Sequence, residues 1–452
     1  MPTRTSARNA RSVALSALEA IDEGAYTAIA LERALHESGL PVVERALATE
    51  IVYGVTRRRL TLDRLIDQFA LKPARLHPLA RNILRLALYQ IRNLDHVPPS
   101  AAVNTAVGLA RQKRLGKLAD FVNGLLRTYL RAAERGDPLE LPTGPVERLS
   151  VQHSFPPWLV ELWRIEVGED EAARLCEWFN HPAHLDLRIN LRSASTEAVR
   201  QALADHGVES RTVEGIPQSL RLTSPPGAIE RLPGFEAGHW VIQEAGAQLV
   251  GWLVDPRPGE RVIDCCAAPG GKTTHLAELM DDRGSILAFD RNGGRLERVG
   301  ENQRRLGLTC IESRNVDVTS PPADLGLAGW ADRVLLDAPC SGLGTLHRHP
   351  DGRWRKSPAD IPGLVGLQQQ LLEQASAWVR PGGVLVYATC TLHPDENEGV
   401  VNRFLTTHPG WQSEFPSLDS PAAPFSDARG YVRLWPHRHD LDGFFMVRLR
   451  QV

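Results

Sequence analysis

Two cysteines sit where a thiol can do chemistry. Cys340 closes VLLDAPC (334–340) and Cys390 closes VLVYATC (384–390), each following an apolar run that predicts a buried strand. Open α/β sheets hold their ligands at the carboxyl ends of strands, so both thiols are expected beside a bound molecule. A third strand-end segment, DCCAAPGGKT (264–273), combines a glycine turn with the start of a helix. Gly270 and Gly271 let a backbone approach a ligand closely, and the helix N-terminus offers free N–H groups. Covalent catalysis next to a nucleotide-like cofactor is the chemistry these motifs predict.

The flanking residues narrow the cofactor. A triphosphate loop would need glycine at position 266, where the chain has Cys266, and no G-x-G-x-x-G fingerprint is present. The next predicted strand ends in Asp290, twenty residues after Gly270, where an acid pairs with ribose hydroxyls. The strand after that ends in Asp317, placed to meet an adenine edge. An adenosine cofactor that does not depend on pyrophosphate binding fits this series, namely S-adenosylmethionine. The competing reading is a structural βα turn with two helix-capping aspartates.

Either thiol alone reads equally well as inert packing. Their surroundings argue otherwise. Asp337 precedes Cys340 by three residues on a stiff Ala-Pro turn, and Cys390 leads into an acidic helix start at Asp395 and Glu396. A helix N-terminus and nearby cations favour the thiolate, the nucleophilic form. Methyl transfer to oxygen or nitrogen needs at most a base. The C5 carbon of a pyrimidine accepts a methyl group only after a thiolate adds to C6 and makes C5 enamine-like. Asp337, if protonated, would donate near N3, and a second thiol or base would assist product release.

These motifs require a scaffold, and the rest of the chain predicts one. From Gly238, strands at 261–267, 285–290, 312–317, 332–339 and 383–390 alternate with helices near 273–280, 293–306, 363–380 and 394–407. That is the doubly wound, parallel α/β pattern, here assigned to residues 236–452. The tail, 431–450, predicts two strands forming an antiparallel edge pair. Residues 5–135 show helical spacing in 11–21, 28–37, 46–69, 79–91 and 100–112, broken at Gly24, Pro41, Pro73, Pro78 and Pro98-Pro99. They predict an all-α bundle over 1–138, with a linker at 136–145. Between lies a small α+β subdomain, 151–235, in which RINLR (188–192) reads as an RNA-facing strand or as an ordinary exposed one.

A chain of 452 residues with 42% hydrophobic and 23% charged residues is a multidomain globular protein. No apolar run is long enough to span a bilayer, and the leading MPTRTSARNARSV lacks a signal-peptide core. A cytoplasmic, unanchored protein is expected, with nothing demanding more than a monomer. The net charge of -2 conceals a basic first segment: residues 1–135 carry 21 Lys and Arg against 12 Asp and Glu. A polyanion partner is expected there. The Arg57-Arg58-Arg59 run suits phosphates or a solvated helix face. Arg348, Arg353, Trp354, Arg355 and Lys356 follow the Cys340 loop, and an aromatic among cations favours an extruded, stacked base. The six cysteines match no zinc spacing, and His347, His349, His437 and His439 read as loop residues, so no metal is expected.

The segments DCCAAPGGKTTHLAELM, FDRNGGRLERVGENQRRLGL, NVDVT, LLDAPCSGLGTLHRHPDGRWRK and ATCTLHPDENEGVV closely resemble the RNA (cytosine-5) methyltransferase family, over roughly 235–450. The resemblance implies a Rossmann-like class I methyltransferase domain. It implies that Cys390 is the covalent nucleophile and that Cys340 aids release of methylated RNA. Cofactor contacts are implied for Cys266, Ala267, Ala268, Pro269, Gly270, Gly271 and Lys272, then Asp290, Asp317 and Asp337. Cys265 stands where an aliphatic residue is more usual, and Thr391 where serine is common. The first domain is similar to NusB-like RNA-binding domains in LATEIVYGVTRRRLTLDRLI and LRLALYQIRNLDHVPPSAAVNTAVGLAR. The pairing resembles bacterial 16S rRNA cytosine-5 methyltransferases, which implies 16S rRNA as partner and cytosine 967, in usual rRNA numbering, as target. The same chemistry on tRNA, and a catalytically silent RNA-binding assembly factor, are the alternatives.

Overall fold

The computed structural model describes residues 9–113 and 116–452. Residues 5–8 of the predicted helical segment, and the leading motif before Asn9, lie outside the described residues. By packing, the chain divides into two units. One holds the residues up to Pro182 together with Leu346–Lys356; the other holds Ala183–Thr345 and Ser357–Val452. The predicted 151–235 subdomain is therefore shared: its helices before Pro182 pack in the first unit, and its strands with the helix Thr196–Asp205 in the second.

The first unit is helical: α1 (Ala10–Asp22), α2 (Thr27–His36), α3 (Val42–Arg57), α4 (Arg59–Phe69) and α5 (Pro78–Asn93). There follow α6 (Pro99–Gln112), α7 (Gly116–Ala133), α8 (Pro145–His153), α9 (Pro157–Val167) and α10 (Glu169–Trp178). Asn9 and Ser12 form a capping box on α1. Pro78 and Pro99 punctuate the sequence because each is the first residue of its helix, where proline forfeits no hydrogen bond. Leu15, Leu18, Ile51, Val55, Leu62, Leu65, Ile83 and Leu126 close a single core. The helix expected over 46–69 is two. At Arg58 the backbone leaves helical geometry, and the first turn of α4 finds distant partners: Leu60 N–H donates to Ser154 Oγ at 2.9 Å and the Thr61 hydroxyl to Val151 O at 2.6 Å.

The segment Leu346–Lys356 corrects the expectation of RNA-facing cations. Arg353 is 0% exposed. Its guanidinium lies 3.8 Å over the Phe155 ring and donates to the carbonyls of Arg57 at 3.2 Å and Ser154 at 3.1 Å, and to Asn180 Oδ1 at 3.1 Å. Trp354 Nε1 donates to Thr56 O at 2.8 Å. Arg57 is buried too, donating to His347 O at 3.3 Å. Arg57 and Arg353 satisfy carbonyls inside a core, so their charges are not presented to a nucleic acid, whereas Trp354 is half-buried. Arg353→Met is expected to destabilise this unit by about 3 kcal/mol, since buried carbonyls lose their donor. A urea unfolding midpoint equal to the parent's would contradict that account.

The second unit carries two sheets. The smaller one comprises β1 (Leu185–Ile189), β2 (Ser210–Thr212), β3 (Ser219–Leu222) and β4 (Trp240–Ile242), ordered β2-β3-β1-β4. The larger comprises β5 (Arg261–Asp264), β6 (Ser285–Asp290), β7 (Ile311–Asn315), β8 (Ala331–Asp337), β9 (Val379–Thr389), β10 (Trp411–Glu414), β11 (Val432–Leu434) and β12 (Phe444–Gln451). Its order is β10-β12-β9-β8-β5-β6-β7, with β11 paired to β12. Strands β5 to β9 are parallel, as expected, whereas β12 runs antiparallel to β9.

The tail does form an antiparallel pair, but β12 is not an edge. It lies between β9 and β10, with Phe445, Val447 and Leu449 buried on one face and Phe444 and Met446 on the other. Glu414 on β10 secures it by accepting from Arg448 Nε at 2.6 Å and Arg450 Nε at 2.8 Å. The strand order reverses between β5 and β8, where the β5-β6-β7 and β8-β9 halves diverge. A crevice opens at the carboxyl ends of strands at such a point. No helix among the described residues is long and apolar enough to cross a membrane.

Candidate active site

That crevice is a cavity of about 290 Å³. Five strand ends supply its walls: Cys265 and Cys266 after β5, Asp290 ending β6, Asp317 beyond β7, Asp337 to Cys340 after β8, and Cys390 after β9. Both thiols thus share one cavity with the acids predicted to hold a cofactor. The sulfur of Cys340 lies 3.4 Å from that of Cys390.

Each acid is held by local backbone. Asp290 accepts from Asn292 N–H at 2.8 Å and Ala268 N–H at 3.3 Å, which ties the cofactor loop to the end of β6. Asp317 accepts from the Thr319 hydroxyl and N–H at 2.6 and 2.9 Å, and these bonds hold its carboxyl below the usual range. Gly270 has φ +103° and caps the helix Gly271–Leu279; a Cβ there would meet Val299 Cα at 3.0 Å. Both conditions demand glycine.

Of the expected cofactor contacts, Cys266, Ala268, Asp290, Asp317 and Asp337 line the cavity. Ala267, Pro269, Gly270 and Gly271 shape the loop behind it. The Lys272 ammonium donates to Asp337 Oδ2 at 2.7 Å. Burial alone would lower the Lys272 pKa, but the charge and hydrogen bond of Asp337 outweigh it and raise the pKa, with Cys390 adding to the rise. Lys272 therefore keeps its proton. Asp337 accepts in this pair.

Cys340 stays a thiol. Its hydrogen bond with Cys390 is the largest cause, followed by burial and by charge on Cys390 and Glu396, and together they push its pKa well up. Asp264, which the sequence reading passed over, is buried beneath the loop and accepts from the Thr273 hydroxyl at 2.7 Å. Burial, with Asp337 nearby, pushes its carboxyl up to about 7. Its place at the head of DCCAAPGGKT was the available signal.

Arg188 also differs from expectation. Neither RNA-facing nor exposed, it is wholly buried and donates to Glu278 at 2.7 and 3.0 Å and to Thr274 Oγ1 at 3.0 Å. It thereby anchors β1 of the small sheet to the helix that begins the cofactor loop. Among the described residues, no group of three or more His, Cys, Asp or Glu side chains is placed to hold a metal ion.

Comparison with known proteins decides the family. The description "16S rRNA methyltransferase RsmB/F" matches residues 251–450, the NusB family matches 8–131, and an RsmF/B-like ferredoxin-like domain matches 155–229. A Synechocystis protein named probable ribosomal RNA small subunit methyltransferase B is 46% identical over 98% of this chain and 99% of its own. The chain belongs to the RsmB/F family of 16S rRNA methyltransferases. A Bacillus subtilis protein of the same name is 33% identical over 98% of both chains. The crystal structure of PH0851 superimposes with a TM-score of 0.80 at 29% identity, covering 98% of each chain. The RsmB/F methyltransferases depend on S-adenosylmethionine. The cavity suits that molecule: the carboxylates of Asp290, Asp317 and Asp337 line it as acceptors for hydroxyl and amino donors and for a cationic sulfonium. Asp290, Asp317 and the loop Cys266–Gly271 are the residues that would hold it.

Proposed function

We propose that this protein methylates C5 of a cytosine in 16S rRNA, cytosine 967 in usual numbering, through a temporary bond between Cys390 Sγ and C6 of the base. The observation that carries the proposal is two thiols 3.4 Å apart in the cavity that also holds the cofactor-binding acids. Methylation of oxygen or nitrogen has no use for such a pair.

Cys390 adds to C6, and the negative charge that develops on the ring meets the Lys272 ammonium held by Asp337. Addition makes C5 nucleophilic. S-adenosylmethionine, when bound, supplies an electrophilic methyl group to that carbon. Cys340, after giving its own proton to solvent, then takes the proton from C5 as thiolate, and the electron pair left behind expels Cys390 as thiolate.

All these groups come from one chain, so a single copy carries a whole site, and we assign the enzyme to the cytoplasm as a monomer acting on rRNA. Arg58, Arg59, Arg348 and Lys356, none of them buried, are the cations of the first unit that we assign to RNA phosphates. Bisulfite sequencing of rRNA and tRNA from cells with and without this protein tests the reading. One 16S cytosine is expected to lose its methylation when the protein is absent. A change confined to tRNA would refute the rRNA substrate, and methylation unchanged in both would leave a silent assembly factor.

A further inference from the structure

The two thiols sit on loops that leave the paired parallel strands β8 and β9, and their sulfurs are in contact. Beyond the last strand pair, a buried carboxylate ties the two loops together. Glu396, 0% exposed, lies on the short turn Pro394–Glu396 after the Cys390 loop. It accepts from Ser341 N–H at 2.8 Å, from the Ser341 hydroxyl, from the Thr391 hydroxyl at 3.2 Å and from Gln368 Nε2 at 3.0 Å. Four donors fill the carboxylate's acceptor sites. Ser341 follows Cys340 and Thr391 follows Cys390, and their hydroxyls touch at 2.7 Å.

The neighbours complete the arrangement. Gln368 also donates to Pro339 O at 3.0 Å, on the other side of Cys340. Asn397 accepts from the Thr389 hydroxyl at 2.6 Å and donates to Thr391 O at 3.1 Å, on both sides of Cys390. Every residue flanking a thiol is thus bonded to Gln368, Glu396 or Asn397; of these three, Glu396 is the side chain that bonds both loops, beside the backbone bond from Gly344 N–H to Cys390 O at 2.9 Å.

We propose that Glu396 is a positioning residue whose carboxylate sets the distance between the two thiols, so that one sulfur reaches C6 of the base while the other reaches the proton on C5. The kinetic half of this inference rests on the proposed cytosine-5 chemistry; the spacing itself does not. Misplacing a reacting group by about 1 Å costs on the order of 100-fold in rate.

The test therefore reads spacing and turnover separately. Phenylarsine oxide, a trivalent arsenical, binds tightly only when it bridges two sulfurs, and it needs no RNA; the Cys340→Ala variant gives its baseline. Glu396→Ala is expected to weaken arsenical binding by about tenfold, the worth of one or two lost hydrogen bonds. It is also expected to lower kcat by about 100-fold with KM for S-adenosylmethionine unchanged. Glu396→Gln, which keeps the shape and the acceptor facing Ser341 N–H, is expected to restore most of both. If Glu396→Ala does not fold, Glu396→Asp, whose carboxylate is drawn back by one methylene, takes its place with the same tenfold criterion. Parent-like arsenical binding in the shortened variant overturns the proposal. Weakened binding with unchanged turnover upholds the spacing role and refutes the two-thiol chemistry instead.

Discussion

Cys390→Ala is expected to lower turnover by about 10⁴-fold or more while S-adenosylmethionine still binds within about twofold of the parent affinity. The size follows from the chemistry. Without a sulfur at C6 the C5 carbon has no electron pair to offer, so no slower version of the same route remains. Affinity survives because Asp290 and Asp317, on the neighbouring strands, are untouched. Single-turnover transfer of labelled methyl to 16S rRNA, with calorimetric titration of the cofactor, checks both halves. Residual turnover of a few per cent would remove Cys390 from the nucleophile's role.

The second large effect concerns Cys340. In Cys340→Ala the adduct is expected to form, because Cys390 and the Lys272–Asp337 pair are intact. It is not expected to resolve, because nothing takes the C5 proton. A protein–RNA species that survives denaturant should accumulate, with kcat reduced by about 10²–10⁴-fold, the usual worth of a positioned acid or base. Gel electrophoresis after denaturation shows it directly. A variant that turns over normally and leaves no such species would assign the release step to another group. The double variant Cys340→Ala/Cys390→Ala should show no adduct, which separates a covalent bond from tight binding.

Much of the site was legible along the chain. Asp290, Cys340 and Cys390 could be found because each closes a run of apolar residues, and the end of a parallel strand is a ligand site whatever the strand packs against. The same holds for Gly270, where a strand must become a helix within a few residues. Cations were less legible. Arg57, Arg188 and Arg353 read as surface charges because arginine usually is one, yet all three are buried and serve carbonyls or a carboxylate far away in sequence. Local periodicity carries no information about such partners.

The sequence alone determined the parallel order of local elements, the helical nature of the first segment and the place of both thiols at strand ends. All of these depend on spacing within a few residues, where backbone geometry leaves a small menu. The tertiary structure decided the rest: that Leu346–Lys356 belongs with the helices, that β12 is interior, that Lys272 pairs with Asp337, and that Glu396 bonds both thiol loops. Each of those outcomes turns on which buried polar group finds which partner, and burial is a property of the whole packed chain.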